Sequence, residues 1–172
     1  MHEFMQIKTK EGGRVKFDKW TPAQKRLYTA AIRQFSSGEP VRIVILKARQ
    51  MGISTLSEGM LFWRTAFFRD ATSIIVAHEE EAVNNIYGMF KLFFEAMPEN
   101  LRPMTEKFNQ GEIVFDNPKI NDRRKNPGLG SRLVVKTAAL GGASKKSAGK
   151  GRSATYHGVH ASEAAFWAEP ER

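Results

Sequence analysis

The sequence predicts an α/β fold with a mainly parallel sheet covered by helices. Two observations carry this. Short β-branched runs alternate with longer stretches of helical period between residues 41 and 97, and a strand, a helix and a second strand in that order fold back as a parallel pair. The runs "VRIVIL" (41–46) and "TSIIVAH" (72–78) are continuously apolar, as strands buried on both faces are. A third observation concerns the loop "KARQMGIST" (47–55) after the first run. It holds a cation, a glycine and two hydroxyls where a strand hands over to a helix.

The elements follow in order. Residues 1–19 are basic and poorly periodic, and are expected to form a loosely held N-terminal arm ahead of one domain over 20–172. "TPAQKRLYTAAIRQF" (21–35) reads as a helix. Thr21 caps it, Pro22 suits its first position, and Leu27, Ala30, Ala31 and Phe35 fall near one face. "SSGEP" stops it. Ser54 to Arg69 is helical, with Leu56, Met60, Trp63 and Phe67 at helical spacing. A second long helix runs from Glu79 to Met97, with acids in its first turn and Val83, Ile86, Phe90, Phe93 and Met97 on its stripe. "EIVFDN" (112–117) and "SRLVVKTA" (131–138) are strands around a turn-rich basic segment. The Gly/Ser/Lys-rich 141–153 reads as a mobile loop, and 155–167 as a buried strand followed by a turn or helix start.

Composition bounds the function. The chain has 172 residues, enough for one domain with a core, and no cysteine, so neither disulfides nor thiolate zinc sites. No apolar run approaches a membrane span and the N-terminus lacks an apolar signal core, so a soluble, intracellular protein is expected. Lys and Arg number 27 against 18 Asp and Glu, a net charge of +9. Residues 119–152 concentrate it, with ten basic side chains and one acid, Asp122. Such a stretch attracts polyanions through counterion release, or else forms a solvated face.

A phosphate loop needs backbone N–H groups aimed at oxyanions, a cation reaching the outer phosphates, and a hydroxyl for Mg²⁺. The usual order is G-x-x-x-x-G-K-[ST]. Here Lys47 stands in the first glycine slot and Ile53 in the lysine slot, with Ala48, Arg49, Gln50 and Met51 between. Gly52 permits the tight backbone, Ser54 and Thr55 offer hydroxyls, and Lys47 can cross from the opposite lip on its long stem. Arg49 adds a second cation. The plain alternative is an ordinary strand-to-helix turn. A carboxylate at the end of another strand is needed to polarise an attacking water. "VHASEAAFW" (159–167) supplies Glu163, with Ser162 where an aspartate is usual, able to hydrogen-bond a metal-bound water. The alternative for Glu163 is a helix-start carboxylate. His157 and His160 are spaced as a poor metal pair.

Three stretches together resemble the large subunit of the terminase, the DNA-packaging motor of tailed bacteriophages. "FDKWTPAQKRLYTAA" resembles its adenine-side motif, which points to Trp20 and Gln24 near the base. "LKARQMGIST" is similar to its deviant phosphate loop, and "VHASEAAFW" to its second ATPase motif in a Ser-Glu variant. The resemblance covers about residues 17–168 and implies a P-loop NTPase fold of the additional-strand, catalytic-glutamate (ASCE) type. It implies ATP and Mg²⁺ as cofactors and ATP hydrolysis driving double-stranded DNA into a procapsid. The implied partners are a portal protein, a small terminase subunit and further copies in a ring, in the cytoplasm of the infected bacterial host. Arg152, or Arg49 within its own subunit, becomes the arginine finger; a DNA-facing loop cation is the equal alternative for Arg152. The family's nuclease carboxylates have no counterpart here, so an incomplete ATPase domain without nuclease activity is expected. Two other readings stand beside it: a non-catalytic nucleic-acid-binding module on a P-loop scaffold, and another P-loop DNA motor such as a helicase.

Overall fold

Pro22 and the threonine before it start the first helix as the sequence predicts. The computed structural model, which describes residues 4–9, 11–48, 50–138 and 155–167, forms α1 over Pro22–Ser36. Thr21 Oγ1 accepts the Gln24 N–H, and the Gln24 side chain accepts the Thr21 N–H, a reciprocal capping box. Ala31 is buried, but Phe35 is largely exposed. Helix α2 spans Ile53–Phe67 and α3 spans Glu80–Ala96. The buried side of α2 is rotated from the expected stripe. Leu56, Gly59, Phe62 and Ala66 face inward, while Trp63 and Phe67 stand partly in solvent. Gly59 explains part of this: a Cβ there would lie 2.3 Å from Met5 Cε, so the chain N-terminal to α1 fills the space beside the glycine.

The stretch expected as a loose arm contains an antiparallel hairpin, β1 (Gln6–Lys8) and β2 (Arg14–Lys16). Met5 and Phe17 flank it, joined by a Phe17 N–H to Met5 carbonyl bond of 2.8 Å, and both are buried in the core. Burial of these two apolar anchors holds the hairpin against α3.

The main sheet has five strands: β3 (Thr72–Ala77), β4 (Lys107–Asn109), β5 (Glu112–Phe115), β6 (Ser131–Thr137) and β7 (Gly158–Ala161), in the order β4-β5-β6-β3-β7. It is only partly parallel, which corrects the expectation of a mainly parallel sheet. β3 runs parallel to β6 and β7, but β5 runs antiparallel to both of its neighbours, β4 and β6. The reason is local. Gln110–Gly111 turns β4 straight into β5, with Asn109 Oδ1 accepting from the Gly111 and Glu112 N–H groups. Between β5 and β6 there is no long helix to carry the chain back for a parallel return.

The run 41–46 departs further from expectation. It forms no strand and pairs with none of the described strands. Ile43 is half-buried in a cleft beside α1, while Val44 and Leu46 are wholly exposed. A run apolar on both faces needs a neighbouring strand before its backbone groups are satisfied, and the described residues offer none.

The core lies between one sheet face and the helix pair α2–α3. Ile75, Ala77, Leu133, Val135, Ile113 and Phe115 supply the sheet side. Phe62 of α2 meets Phe90 and Phe93 of α3 and Phe115 of β5 with ring centroids 5.7–6.0 Å apart. Such contacts add about 0.5–1.5 kcal/mol each beyond area burial. Among the described residues no helix is long and apolar enough to cross a membrane.

Candidate functional site

Three contacts fix how α2 lies on the sheet. Thr65 Oγ1 bonds Ser73 Oγ at 3.0 Å. Gly158, which pairs with Ser73, leaves room for Leu61, since a Cβ would fall 2.6 Å from Leu61 Cδ2. Glu58 Oε1 meets His160 Nδ1 at 2.9 Å. Moving toward the N-terminus of α2 therefore moves toward the carboxyl end of β7. Ser54 and Thr55 precede Glu58 by about 5 Å at ~1.5 Å per residue. Ser162 lies about 7 Å beyond His160 at ~3.3 Å per residue. The start of α2 and the Ser162–Glu163 pair thus share the carboxyl edge of the parallel strands, where open α/β sheets hold ligands.

Gly52 precedes α2 with φ +67°. Among the described residues no side chain caps the helix, so its first N–H groups find no side-chain acceptor there. Gln24 ties the loop to α1: its Nε2 donates to the Gly52 carbonyl at 2.7 Å and its Oε1 accepts from Thr21 N–H at 2.8 Å. At 3% exposure, its amide is committed to backbone groups. Thr21 Oγ1 donates to the Met51 carbonyl at 3.4 Å. Trp20 Nε1 donates to the Phe17 carbonyl, and its ring stands edge-on to Tyr28 at 4.8 Å. Both residues expected near a base therefore hold structural contacts in this state.

Lys47 opens the loop after the 41–46 run, which pairs with none of the described strands. It lines an open cleft of about 480 Å³ with Pro22, Arg26, Leu27, Ile45 and Met51. Among the described residues no carboxylate lies within salt-bridge distance of it. Ala48 and Gln50 are exposed, Gln50 with φ +62°, while Ser54 and Thr55 are half-buried and Ile53 is buried. Arg49 and Arg152, the two finger candidates, lie outside the described residues, as does the 141–153 loop.

The carboxylate comes from parallel pairing. Val76 is in register with Ala161, and Ser162 N–H donates to the Val76 carbonyl at 2.8 Å. Two residues further along each chain, His78 stands beside Glu163, with Nδ1 3.1 Å from Oε2. His78 Nε2 is 3.0 Å from Glu79 Oε1. Glu163 has left-handed backbone, φ 54° and ψ 41°, unusual for a residue with a side chain and concentrated at functional sites. Ser162 is buried, and its carbonyl accepts from Trp167 Nε1 at 3.2 Å.

From the sequence His78 reads as a strand-end residue that is a satisfied polar group or a nucleotide neighbour, and neither its meeting with Glu163 nor the role of Glu58 is expected. His78 was legible only through the β3–β7 register. Glu58 left a clearer signal, being the one acid between Ser54 and Phe68, among the buried positions of the helix. It is 0% exposed, and burial pushes its carboxyl above the usual range, against the hydrogen bond and charge of His160.

The basic stretch is partly neutralised. Arg123 reaches Glu106 at 2.8 Å, Asp116 at 3.2 Å and the Asn117 carbonyl at 2.8 Å. Arg132 and Lys107 both pair with Glu112. Burial alone would raise the Glu112 carboxyl, but the Lys107 hydrogen bond and the two cations outweigh it and lower the value. Lys119, Arg124 and Lys125 remain exposed.

No protein-family model matches the chain, and no curated protein matches it either.

Proposed function

We propose that this chain is the ATPase part of a terminase-type DNA-packaging motor, hydrolysing ATP to drive double-stranded DNA into a viral procapsid. The observation that supports it is the shared sheet edge: an uncapped helix start after Gly52 and a carboxylate on left-handed backbone at Glu163. The residues fit a Mg²⁺–nucleotide. The α2 N–H groups need an acceptor, Lys47 has no described carboxylate partner, and hydroxyls stand at Ser54, Thr55 and Ser162.

In this reading a bound Mg²⁺ would supply charge neutralisation for the phosphates. The Ser54 hydroxyl would hold the ion, and Ser162 a water on it. Lys47 and the N–H groups of 52–55 bind the phosphates, Trp20 and Gln24 border the base, and Glu163 orients the water that attacks. Arg152 or Arg49 stabilises developing charge, from a neighbouring subunit or within its own. The partners are DNA, portal, small subunit and further copies in a ring, in the infected host's cytoplasm.

Mg-ATP binding and turnover test this. Lys47→Ala abolishes binding. Glu163→Gln keeps binding and lowers turnover about 10²–10⁴-fold, the range for a lost general base. A wild-type chain that binds no Mg-ATP at millimolar nucleotide sinks the reading.

One observation favours a second reading, a nucleic-acid-binding module without catalysis. Segment 41–46 pairs with none of the described strands, so among them nothing holds Lys47 at a strand end, and Ile53 and Ser162 occupy the usual lysine and aspartate slots. DNA binding without any nucleotide binding would select it.

A further inference from the structure

Glu163 poses a problem that its own backbone does not solve. Its side chain is 39% exposed, and its backbone, at φ 54°, lies outside strand and helix geometry. A carboxylate in that setting samples several rotamers, and a group that must aim at a water needs an orienting partner.

We propose that His78 is that partner: a positioning residue that holds Glu163 and links it to the first turn of α3. This deepens the ATPase reading and rests on it. The contact follows from topology. β3 and β7 are adjacent and parallel and end level with each other, so the residue after Ala77 and the residue after Ser162 meet at the sheet edge. The His78 ring approaches Glu163 Oε2 through Nδ1 at 3.1 Å. This is an ion-pair approach without hydrogen-bond alignment; it falls on one carboxylate oxygen and leaves Oε1 to meet a water.

The other face of the ring is engaged as well. Nε2 lies 3.0 Å from Oε1 of Glu79, the residue that precedes α3. An imidazole between two carboxylates pairs by charge with both when it carries both ring protons, so the ring is drawn toward each of them. The chain Glu163–His78–Glu79 runs from the catalytic edge to the helix start. A shift of the carboxylate on nucleotide binding is thereby felt by α3, and a shift of α3 re-aims the carboxylate.

Two conservative variants separate the nitrogens. Asparagine puts its amide nitrogen near the Nδ1 position and glutamine near Nε2. His78→Asn therefore keeps the contact to Glu163, and His78→Gln keeps only that to Glu79. In ATPase assays with parallel Mg-ATP binding and thermal unfolding, His78→Phe and His78→Gln lower kcat by about 10–100-fold, the cost of a misplaced group. Their Mg-ATP affinity stays within about twofold of wild type, because this ring is placed to act on Glu163 rather than on bound phosphate. His78→Asn recovers most of kcat. Equal kcat for the Asn and Gln variants overturns the assignment, and so does a kcat for His78→Phe at the wild-type level or a loss confined to affinity. If His78→Phe fails to fold, the Asn–Gln comparison decides. A wild-type chain without turnover overturns the ATPase reading and this assignment with it, whereas wild-type turnover insensitive to His78 overturns this assignment alone.

Discussion

Replacing Gly52 by alanine probes how the loop before α2 is held. Gly52 has φ +67°, and an added Cβ would lie 2.5 Å from Gln24 Nε2 and 3.3 Å from its Cδ. Left-handed backbone costs an L-residue about 1–2 kcal/mol. The Gln24 amide must also withdraw, which breaks its 2.7 Å bond to the Gly52 carbonyl. With Gln24 only 3% exposed, stranding these groups costs about 1–3 kcal/mol. Gly52→Ala therefore destabilises the fold by about 2–5 kcal/mol, read from urea unfolding. The Gln24→Ala background isolates the cause. That single change loses the same bond, and once the amide is gone the alanine at 52 adds only backbone strain. The double variant then costs less than the sum of the two singles, by about 1–3 kcal/mol. Strict additivity, or a Gly52→Ala effect under about 0.5 kcal/mol, would refute the Gln24 clasp.

Two further outcomes follow from the titratable groups. Glu58 is protonated more readily folded than unfolded, because burial raises its carboxyl above 4.5. Stability therefore falls as pH rises from 4.5 toward the raised value, since only the unfolded chain ionises freely there. Glu58→Gln flattens that slope in urea unfolding across the acid to neutral range; an unchanged slope counts against a protonated Glu58. In the basic stretch, replacing Arg124 and Lys125 together by alanine reduces the salt slope of DNA binding by about 1.8, at about 0.9 per phosphate contact. Arg123→Ala leaves that slope unchanged and lowers stability by about 1–3 kcal/mol, because its guanidinium serves Asp116, Glu106 and the Asn117 carbonyl. Fluorescence anisotropy with duplex DNA at several salt concentrations, beside urea unfolding, reads both.

Local chemistry made much of the chain legible. Thr21, Pro22 and Gln24 mark the start of α1 through groups within one helical turn of each other, so no distant residue is needed. Helix α3 announced its buried side through Val83, Ile86, Phe90 and Phe93, since every large residue on that stripe faces the core. α2 was harder. Its aromatic residues surround it, and Gly59 decided which side faces inward by admitting Met5 from the other end of the chain. The 41–46 run carries the pattern of a buried strand, yet a strand is a relation between two backbones, and no described partner meets it.

The candidate site divides the same way. Gly52, Ser54 and Thr55 are contiguous, and their order alone marks a helix start suited to an anion. That this start shares an edge with Glu163 depends on the contacts of Thr65, Leu61 and Glu58 with β3 and β7, across gaps of 8, 97 and 102 residues. The antiparallel β4–β5–β6 half, the His160–Glu58 pair and the His78–Glu163 contact are likewise matters of register. Residue type and spacing set what each segment can become, because propensity and capping act over a few residues. Which segments meet is set by the packing of the whole chain, because a strand's neighbours and a carboxylate's partner come from far along it.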